Sequence, residues 1–464
     1  MGNIAENIAA FDDYLDHLCE VLNYANRRSG LKDYCRGLML PIERKSIEPL
    51  AASVDPLHVA AKHQSLHHFV AKSNWSDSTV MARVHDWVMP KLGLDSGSYW
   101  IIDDTGFPKK GKHSVGVARQ YCGQLGKQDN CQVAVSLSLA SEQGSIPIAY
   151  QLYLPKDWAD DALRRKAVGV PEDISFATKP SIALEQMRQA VAAGVPMGMV
   201  LADAAYGDET AFRDGITKLG MAYAVGIRPA TSVWAPETAP LPPKAWSGHG
   251  IPPTKLRRAP GHQPVSVKAL AQALPSSAWQ NVSWRQGSNA ALSSRFAAVR
   301  VHPAHRDDRN TEMRAAEWLL IEWPADEAEP SKYFLSTVPA ETTLERLVFV
   351  TKMRWRIERD YQELKQEFGL SHYEGRGWQG FHHHATLCIA AYGFLLAQRL
   401  DPDSSKKNCA RPETPALPAD YRPRGSRTGT TACTGLHPNV ASVNRTSHRQ
   451  QATAMSLLRW GVRR

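Results

Sequence analysis

Asp103 and Asp104 close an apolar run, Tyr99–Trp100–Ile101–Ile102, that reads as a buried strand. Two acids at the end of such a strand are costly to bury unless a metal or cation compensates them. Asp203 ends a second short apolar strand, in VLADAAYGD, where an N-cap or turn role is the plainer explanation. Glu358 lies in TKMRWRIERDYQELK, Thr351 to Lys365, a stretch without Gly or Pro that reads as one helix. With Arg354 as the zero of a wheel turning about 100° per residue, Glu358 falls at about 40°, Lys365 at about 20° and Thr351 at about 60°. Val350, Met353, Ile357, Tyr361, Leu364 and Phe368 fill the adjoining arc as an apolar stripe, while Asp360, Glu363 and Glu367 point away. Alone, this is an ordinary amphipathic helix with i,i+4 pairs. Together, carboxylates from strand, strand and helix make a hard-oxygen site suited to Mg2+ or Mn2+. Two such ions about 4 Å apart activate a water or hydroxyl and stabilise the leaving oxygen of an in-line phosphoryl transfer. Arg354 and Lys365 beside them would hold phosphates or temper repulsion between the acids.

The elements that must bring these residues together are legible as changes of period. Residues 1 to about 95 are helical in pattern, with an apolar face at Phe11, Tyr14, Leu15, Leu18 and Leu22. Further helices are expected at about 58–70 and 78–91, the last capped by Ser76–Asp77–Ser78. Arg27, Arg28, Lys32, Arg36, Arg44 and Lys45 give this region a basic side that suits DNA, although a solvated charged face explains them equally well. From Ser98 the pattern turns to strands, at 98–104, 114–121, 132–140 and 146–154, read as a three-stranded antiparallel meander with a long or bulged second strand. A helix at 181–193, a strand at 197–202, a helix at 208–219 and a strand at 221–227 follow. The order β-β-β-α-β-α-β is that of a mixed sheet with helices on its faces, and it sets the first and fourth strands side by side, so that Asp104 and Asp203 can meet. Residues 228–340 break the rhythm with a Pro- and Gly-rich segment and short strands at 279–284, 295–301, 318–323 and 332–337, and they hold six of the 13 tryptophans. A β-rich insertion is expected there, before the Glu358 helix.

Composition bounds the rest. A 464-residue chain with 43% hydrophobic and 22% charged residues has the make-up of a globular protein of two or three domains. No apolar run reaches the roughly 18 residues that span a bilayer, and no signal pattern opens the chain, so no membrane partner and a cytoplasmic location are expected. The seven cysteines form neither CxxC pairs nor zinc spacing. Net charge is +9, but residues 401–464 hold 11 Lys or Arg against 4 Asp or Glu, so seven of the nine charges lie in a tail expected to be disordered. Two motifs mislead. Gly106 to Lys112 spells GxxxxGK, but His113 replaces the Ser/Thr of a phosphate loop and SVGVARQY alternates like a strand, so Lys109, Lys110 and Lys112 are better assigned to DNA phosphates or water. His382–His383–His384, three consecutive helix residues, cannot point one way, so packing at a helix start is preferred to metal binding.

DDTGFPKKG, LADAAYGD and RWRIERDYQELK, with YEGRGW and HHH after them, resemble the DDE transposases of bacterial insertion sequences over roughly residues 55–400. The likeness is to the branch whose third catalytic segment carries Tyr-x2-Arg-x3-Glu-x6-Lys. That spacing maps onto Arg354, Glu358 and Lys365, with Thr351 in place of the tyrosine. The resemblance selects Asp104 over Asp103, because the family's first Asp precedes a Thr, and it maps the second onto Asp203. It implies an RNase H-like α/β fold, with catalytic and metal-ligating Asp104, Asp203 and Glu358, and DNA contacts from Arg354, Lys365, Thr351, Lys109, Lys110 and Lys112. It further implies two Mg2+ or Mn2+ ions, and cut-and-paste transposition. The expected organisation is a helical DNA-binding region at 1–95, a catalytic core at 96–227 and 341–400, the insertion at 228–340, and the tail at 401–464. The partners expected are double-stranded DNA, as terminal inverted repeats and target, and a second copy of the chain in a homodimer on DNA. The insertion's tryptophans would stack on an unpaired or flipped base. Two rivals are a catalytically silent, transposase-derived DNA-binding regulator and a stand-alone RNase H-like nuclease.

Overall fold

The computed structural model describes residues 2–287 and 290–401, so the tail expected at 401–464 lies, from residue 402 on, outside the described residues. The elements that carry the acids are β1, β5 and the helix after the insertion. First come five helices: α1 (Gly2–Cys19), α2 (Ala25–Met39), α3 (Ile47–Val54), α4 (Val59–Ala71) and α5 (Asp77–Val88). Ser76 caps α5 by accepting from the Thr79 N–H at 3.2 Å. Then β1 (Tyr99–Pro108), β2 (Ala118–Cys122), β3 (Lys127–Ala140) and β4 (Ser145–Leu152) form an antiparallel group in which β3 pairs with the other three. The strand expected over 114–121 begins only at Ala118. Gly116 has φ +71° and a Cβ there would meet the Tyr153 carbonyl, so the chain turns before it can pair.

Short helices α6 (Lys156–Ala159) and α7 (Ala162–Ala167) lead to α8 (Lys179–Ala192), β5 (Met199–Ala202), α9 (Ala204–Gly207), α10 (Thr210–Lys218) and β6 (Tyr223–Ile227). β5 pairs in parallel with both β1 and β6, with Ile102 opposite Ala202. Thus the first and fourth strands of the expected order are neighbours. Asp203 follows the end of β5, while Asp103 and Asp104 do not end their strand as expected: they lie in the middle of β1, opposite Ser136 and Val135 of β3 and just past the last β1–β5 pair. The fold is a mixed α/β sheet flanked by helices, consistent with an RNase H-like architecture.

The insertion does not form a separate layer. After β7 (Ser232–Trp234), β8 (Val265–Ser266) and α11 (Val267–Ala273), the strands β9 (Gln280–Gln286), β10 (Ala291–Pro303), β11 (Glu317–Trp323) and β12 (Lys332–Ser336) continue the same sheet through β12 paired with β6. Twelve strands among the described residues thereby make one sheet.

The expected single helix is two, α12 (Leu344–Lys352) and α13 (Trp355–Gln366). Met353, Arg356 and Ile357 each donate an N–H to the carbonyl three residues back, a tight turn where a straight helix would bond four back. The break follows from two cores. Leu347 and Val348 pack on Phe296 and Leu320 of the insertion, whereas Ile357 and Tyr361 pack on Tyr99, Ile101, Leu201 and Ala224 of the central strands. The apolar stripe is nevertheless buried throughout.

The last helix, α14 (Trp378–Leu400), is buried against α1, α2, α4, α5 and β4. Each of the three histidines finds a different partner: His382 accepts from the Leu152 N–H, His383 bridges the Val70 and Trp75 carbonyls, and His384 meets the Tyr34 hydroxyl at 2.8 Å. The packing role expected of them holds. Asp360 and Glu363, expected to point away, are buried between α13 and α14 instead. Asp360 accepts from Ser145 at 2.6 Å and Tyr392 at 2.9 Å, while its other oxygen has no partner. Burial pushes its pKa up to about 7 against the help of those hydroxyls. A raised carboxyl pKa stabilises the fold fully below about pH 4, and this contribution is lost as pH rises through about 7. Asp360→Asn, which carries no charge to bury, should raise stability at pH 8 by about 1–3 kcal/mol and leave it unchanged near pH 4. Thermal melts at the two pH values check this.

Candidate active site

Strand alternation separates the paired acids. Tyr99, Ile101 and Asp103 share the face that receives α13, and Trp100, Ile102 and Asp104 share the other. Arg354, at the turn between α12 and α13, donates to Asp103 Oδ2 at 2.8 Å and to Glu358 Oε1 at 2.6 Å. One guanidinium therefore joins the strand acid to the helix acid. Burial pushes the Asp103 carboxyl up to about 7, Arg354 opposes the shift and Asp203 adds to it. Burial also raises Asp203, again with Arg354 opposing and Asp104 adding. Burial works against the Arg354 charge, yet the carboxylates of Asp103, Glu358 and Asp203 outweigh it and raise its pKa. Glu358 itself is well exposed, at 61%.

Asp104 faces α8, where Lys179 Nζ meets its Oδ2 at 2.8 Å, and the Tyr206 hydroxyl lies 3.5 Å from the same oxygen. Asp203 fills the capping role weighed for it, accepting from the Ala205 N–H at 2.9 Å at the start of α9. The close fit of α9 on β6 fixes it there. A Cβ on Gly207 would sit 2.2 Å from the Gly226 carbonyl oxygen, so the last glycine of LADAAYGD is a point of backbone contact. Lys179, Tyr206 and Tyr361 are the site residues that sequence reasoning missed. Tyr361 donates to the Asp103 carbonyl at 3.2 Å and meets the Ser136 hydroxyl at 2.7 Å. A hydroxyl-bearing aromatic among small residues in LADAAYGD was a usable signal for Tyr206. Lys179 had none, because only the fold brings it to Asp104.

The remaining expected contacts divide. Lys365 Nζ donates to the Gly106 carbonyl at 2.9 Å and lies over the Phe107 ring, and burial brings its pKa down to about 8. Lys109 is half-buried and donates to the Tyr373 carbonyl at 2.7 Å, and burial lowers its pKa too. Lys110 and Lys112 are exposed. Thr351 is buried and its hydroxyl donates to the Leu347 carbonyl at 2.7 Å. The GxxxxGK segment completes β1 and opens no helix, as expected of a false phosphate loop.

The family model described as DDE superfamily endonuclease matches residues 17–291, more than half of the chain. The chain belongs to the DDE superfamily endonucleases. It is also 30% identical over 193 residues to a protein of Microchaete diplosiphon described as a probable transposase for insertion sequence element IS701. That match covers 41% of this chain and 47% of the relative, so the chain spans about half the length of the curated relative it matches. DDE endonucleases generally use divalent metal ions. Among the described residues no three His, Cys, Asp or Glu side chains are gathered closely enough to hold one. The donor set nevertheless suits such an ion: it is all carboxylate oxygen, and Asp103 is buried with more charge than Arg354 alone neutralises. Arg354 supplies part of the positive charge in this arrangement, to Asp103 and Glu358, and Lys179 supplies it to Asp104. No helix among the described residues is long and apolar enough to cross a membrane.

Proposed function

We propose that this chain is a DNA transposase that cuts at element ends and joins those ends to target DNA. The observation that supports it most is the pairing of Asp103 and Glu358 through one arginine, beside an Asp203 that ends the adjacent parallel strand. Asp104, Asp203 and Glu358 would hold two divalent ions, Mg2+ or Mn2+, which when bound supply the charge that activates an attacking oxygen and stabilises a leaving one. The protein's own part is positioning. Arg354 stands between strand and helix acids, where a phosphate oxygen can replace a carboxylate as its partner. Lys365 carries charge along β1 towards Gly106 and Phe107, on the path a DNA strand would follow. In the first step water bonds to phosphorus as the P–O3′ bond breaks, leaving a 3′-hydroxyl and a 5′-phosphate. In the second, the oxygen of that hydroxyl bonds to a target phosphorus as the target's P–O3′ bond breaks, which joins the element end to the target 5′ side and frees a target 3′-hydroxyl.

Residues 1–95 would bind the terminal inverted repeats, 96–227 and 341–400 form the catalytic core, 228–340 the insertion, and two copies would pair the ends in the bacterial cytoplasm. Of the insertion's tryptophans, Trp279 just before β9 packs edge-on against Trp323 of β11 at 5.2 Å, and Arg295, the cross-strand partner of Trp323 on β10, lies over its ring at 3.9 Å. Purified chain with DNA bearing the inverted repeats that border its gene, with and without Mg2+, tests the proposal. Strand transfer supports it, nicking without transfer favours a stand-alone nuclease, and binding without cleavage favours a silent regulator.

A second reading of the first acid has a specific observation behind it. Asp103, not Asp104, shares a face with Glu358. Asp103→Asn and Asp104→Asn therefore make an informative pair. Loss of cleavage by about a thousandfold in Asp104→Asn alone supports the assignment to Asp104, and the same loss confined to Asp103→Asn transfers it to Asp103.

A further inference from the structure

A cleft of about 820 Å3 opens beyond the acids, between the α2–α3 loop, the end of β1 and the link from α13 to α14. Arg44, Lys109, Lys110 and Ser114 line it, with Glu43 and Glu374 as its acids. Glu374 is already engaged by Arg44. Lys109 is held at the wall by its bond to the Tyr373 carbonyl. Exposed Lys112 and Arg376 extend from the same segments, and the Val115 N–H bonds the Arg376 carbonyl at 3.0 Å to tie those segments together. Arg164 of α7 joins them by donating to the Lys112 carbonyl at 3.0 Å. Three cations, Arg44, Lys109 and Lys110, thus line a cleft with two acids, and Lys112, Arg164 and Arg376 stand on segments tied to it.

The basic residues of the helical region are differently placed. Lys32 pairs with Asp16 and Arg36 with Asp12, Arg28 donates to the Leu22 carbonyl, and buried Lys45 donates to the Leu38 carbonyl. Lys32 and Arg36 are thus paired with acids and Arg28 and Lys45 are held by carbonyls, whereas exposed Lys110 lines the cleft with exposed Lys112 and Arg376 beside it, which makes the cleft the better match for a polyanion.

β1 connects the cleft to the acids. At about 3.3 Å per residue, the five steps from Asp104 to Lys109 span about 17 Å, with Lys365 over the middle. We propose that this cleft grips the backbone phosphates of duplex DNA about 17 Å from the phosphate presented to the acid cluster. The inference rests on the transposase reading and adds a binding site to it.

The test is equilibrium binding of the full chain to a labelled 40-base-pair duplex of mixed sequence across a salt series. Each phosphate contact contributes about −0.9 to the slope of log affinity against log salt. Arg44→Gln with Lys110→Gln should make the slope shallower by about 2 and weaken binding about tenfold near 0.15 M salt. Lys110→Glu alone, at an exposed position, gives the same direction if the double variant folds poorly. Arg188→Gln and Lys268→Gln should bind as the parent does. Unchanged slopes in both cleft variants, equal losses in the two controls, or a parent with no salt-dependent binding would each overturn the inference. A parent that cuts element ends while the cleft variants bind normally defeats the cleft and spares the transposase reading. A parent that binds through the cleft and cuts nothing does the reverse.

Discussion

Glu358→Gln should bind element-end DNA within about twofold of the parent and cleave it about a thousandfold more slowly or worse, a loss on the scale of removing one preorganised electrostatic group. The substitution is nearly isosteric. Its remaining carbonyl oxygen can still accept from Arg354, which meets Oε1 at 2.6 Å. Glu358 is 61% exposed, so the change should leave stability within about 0.5 kcal/mol. Folding and DNA affinity thus separate cleanly from chemistry. Gel-based cleavage in Mg2+, alongside a thermal melt and a binding isotherm, reads all three. Full cleavage by a stable, DNA-bound Glu358→Gln protein would remove this residue from the catalytic set.

How far the sequence reached depended on the range of each interaction. Alternation and short apolar runs placed β1, β3, β5 and β6 and the insertion strands from β9 to β12, though not the short β7 and β8, because burial on a sheet face acts locally on side-chain type. The pairing of β1 with β5 followed from strand order alone. The turn at Met353 and Arg354 did not, since no Gly or Pro marks it and it arises from two cores pulling on one amphipathic stretch. The burial of Asp360 was equally hidden, because its partners Ser145 and Tyr392 come from distant segments. Charge was the least legible feature. Lys32, Arg36 and Lys45 look alike in sequence with Lys110, yet intramolecular partners engage the first three and the fourth lines an open cleft. The division of labour between Asp103 and Asp104 was visible as a two-residue alternation, but only the position of α13 says which face matters.

Arg354→Gln should be the most destabilising single change in the site, and its effect should depend on pH. Arg354 gives Asp103 its nearest counter-charge, at 2.8 Å. Even with it, burial holds the Asp103 pKa at about 7. At pH 8 the variant must therefore keep a buried carboxylate without a partner or take up a proton against the solution. Breaking a fully buried pair costs about 3–5 kcal/mol, and the partial exposure of both groups here reduces that to about 1–3 kcal/mol. At pH 5 Asp103 is largely protonated in the parent as well, so the loss should shrink by more than half. The sign follows from linkage: a raised carboxyl pKa stabilises the folded state fully below about pH 4, and the contribution is lost as pH climbs through the folded value. Removing the arginine raises that folded value further, so the gap between variant and parent widens above pH 7. Asp103→Asn combined with Arg354→Gln removes the lone charge and should recover most of the stability at pH 8, a coupling that a double-mutant cycle measures directly. Arg354→Lys should recover less, because one ammonium cannot bridge Asp103 and Glu358 as the two arms of a guanidinium do. A loss equal at pH 5 and pH 8, with no recovery in the double variant, would show that Arg354 acts through packing and not through the acid it joins to Glu358.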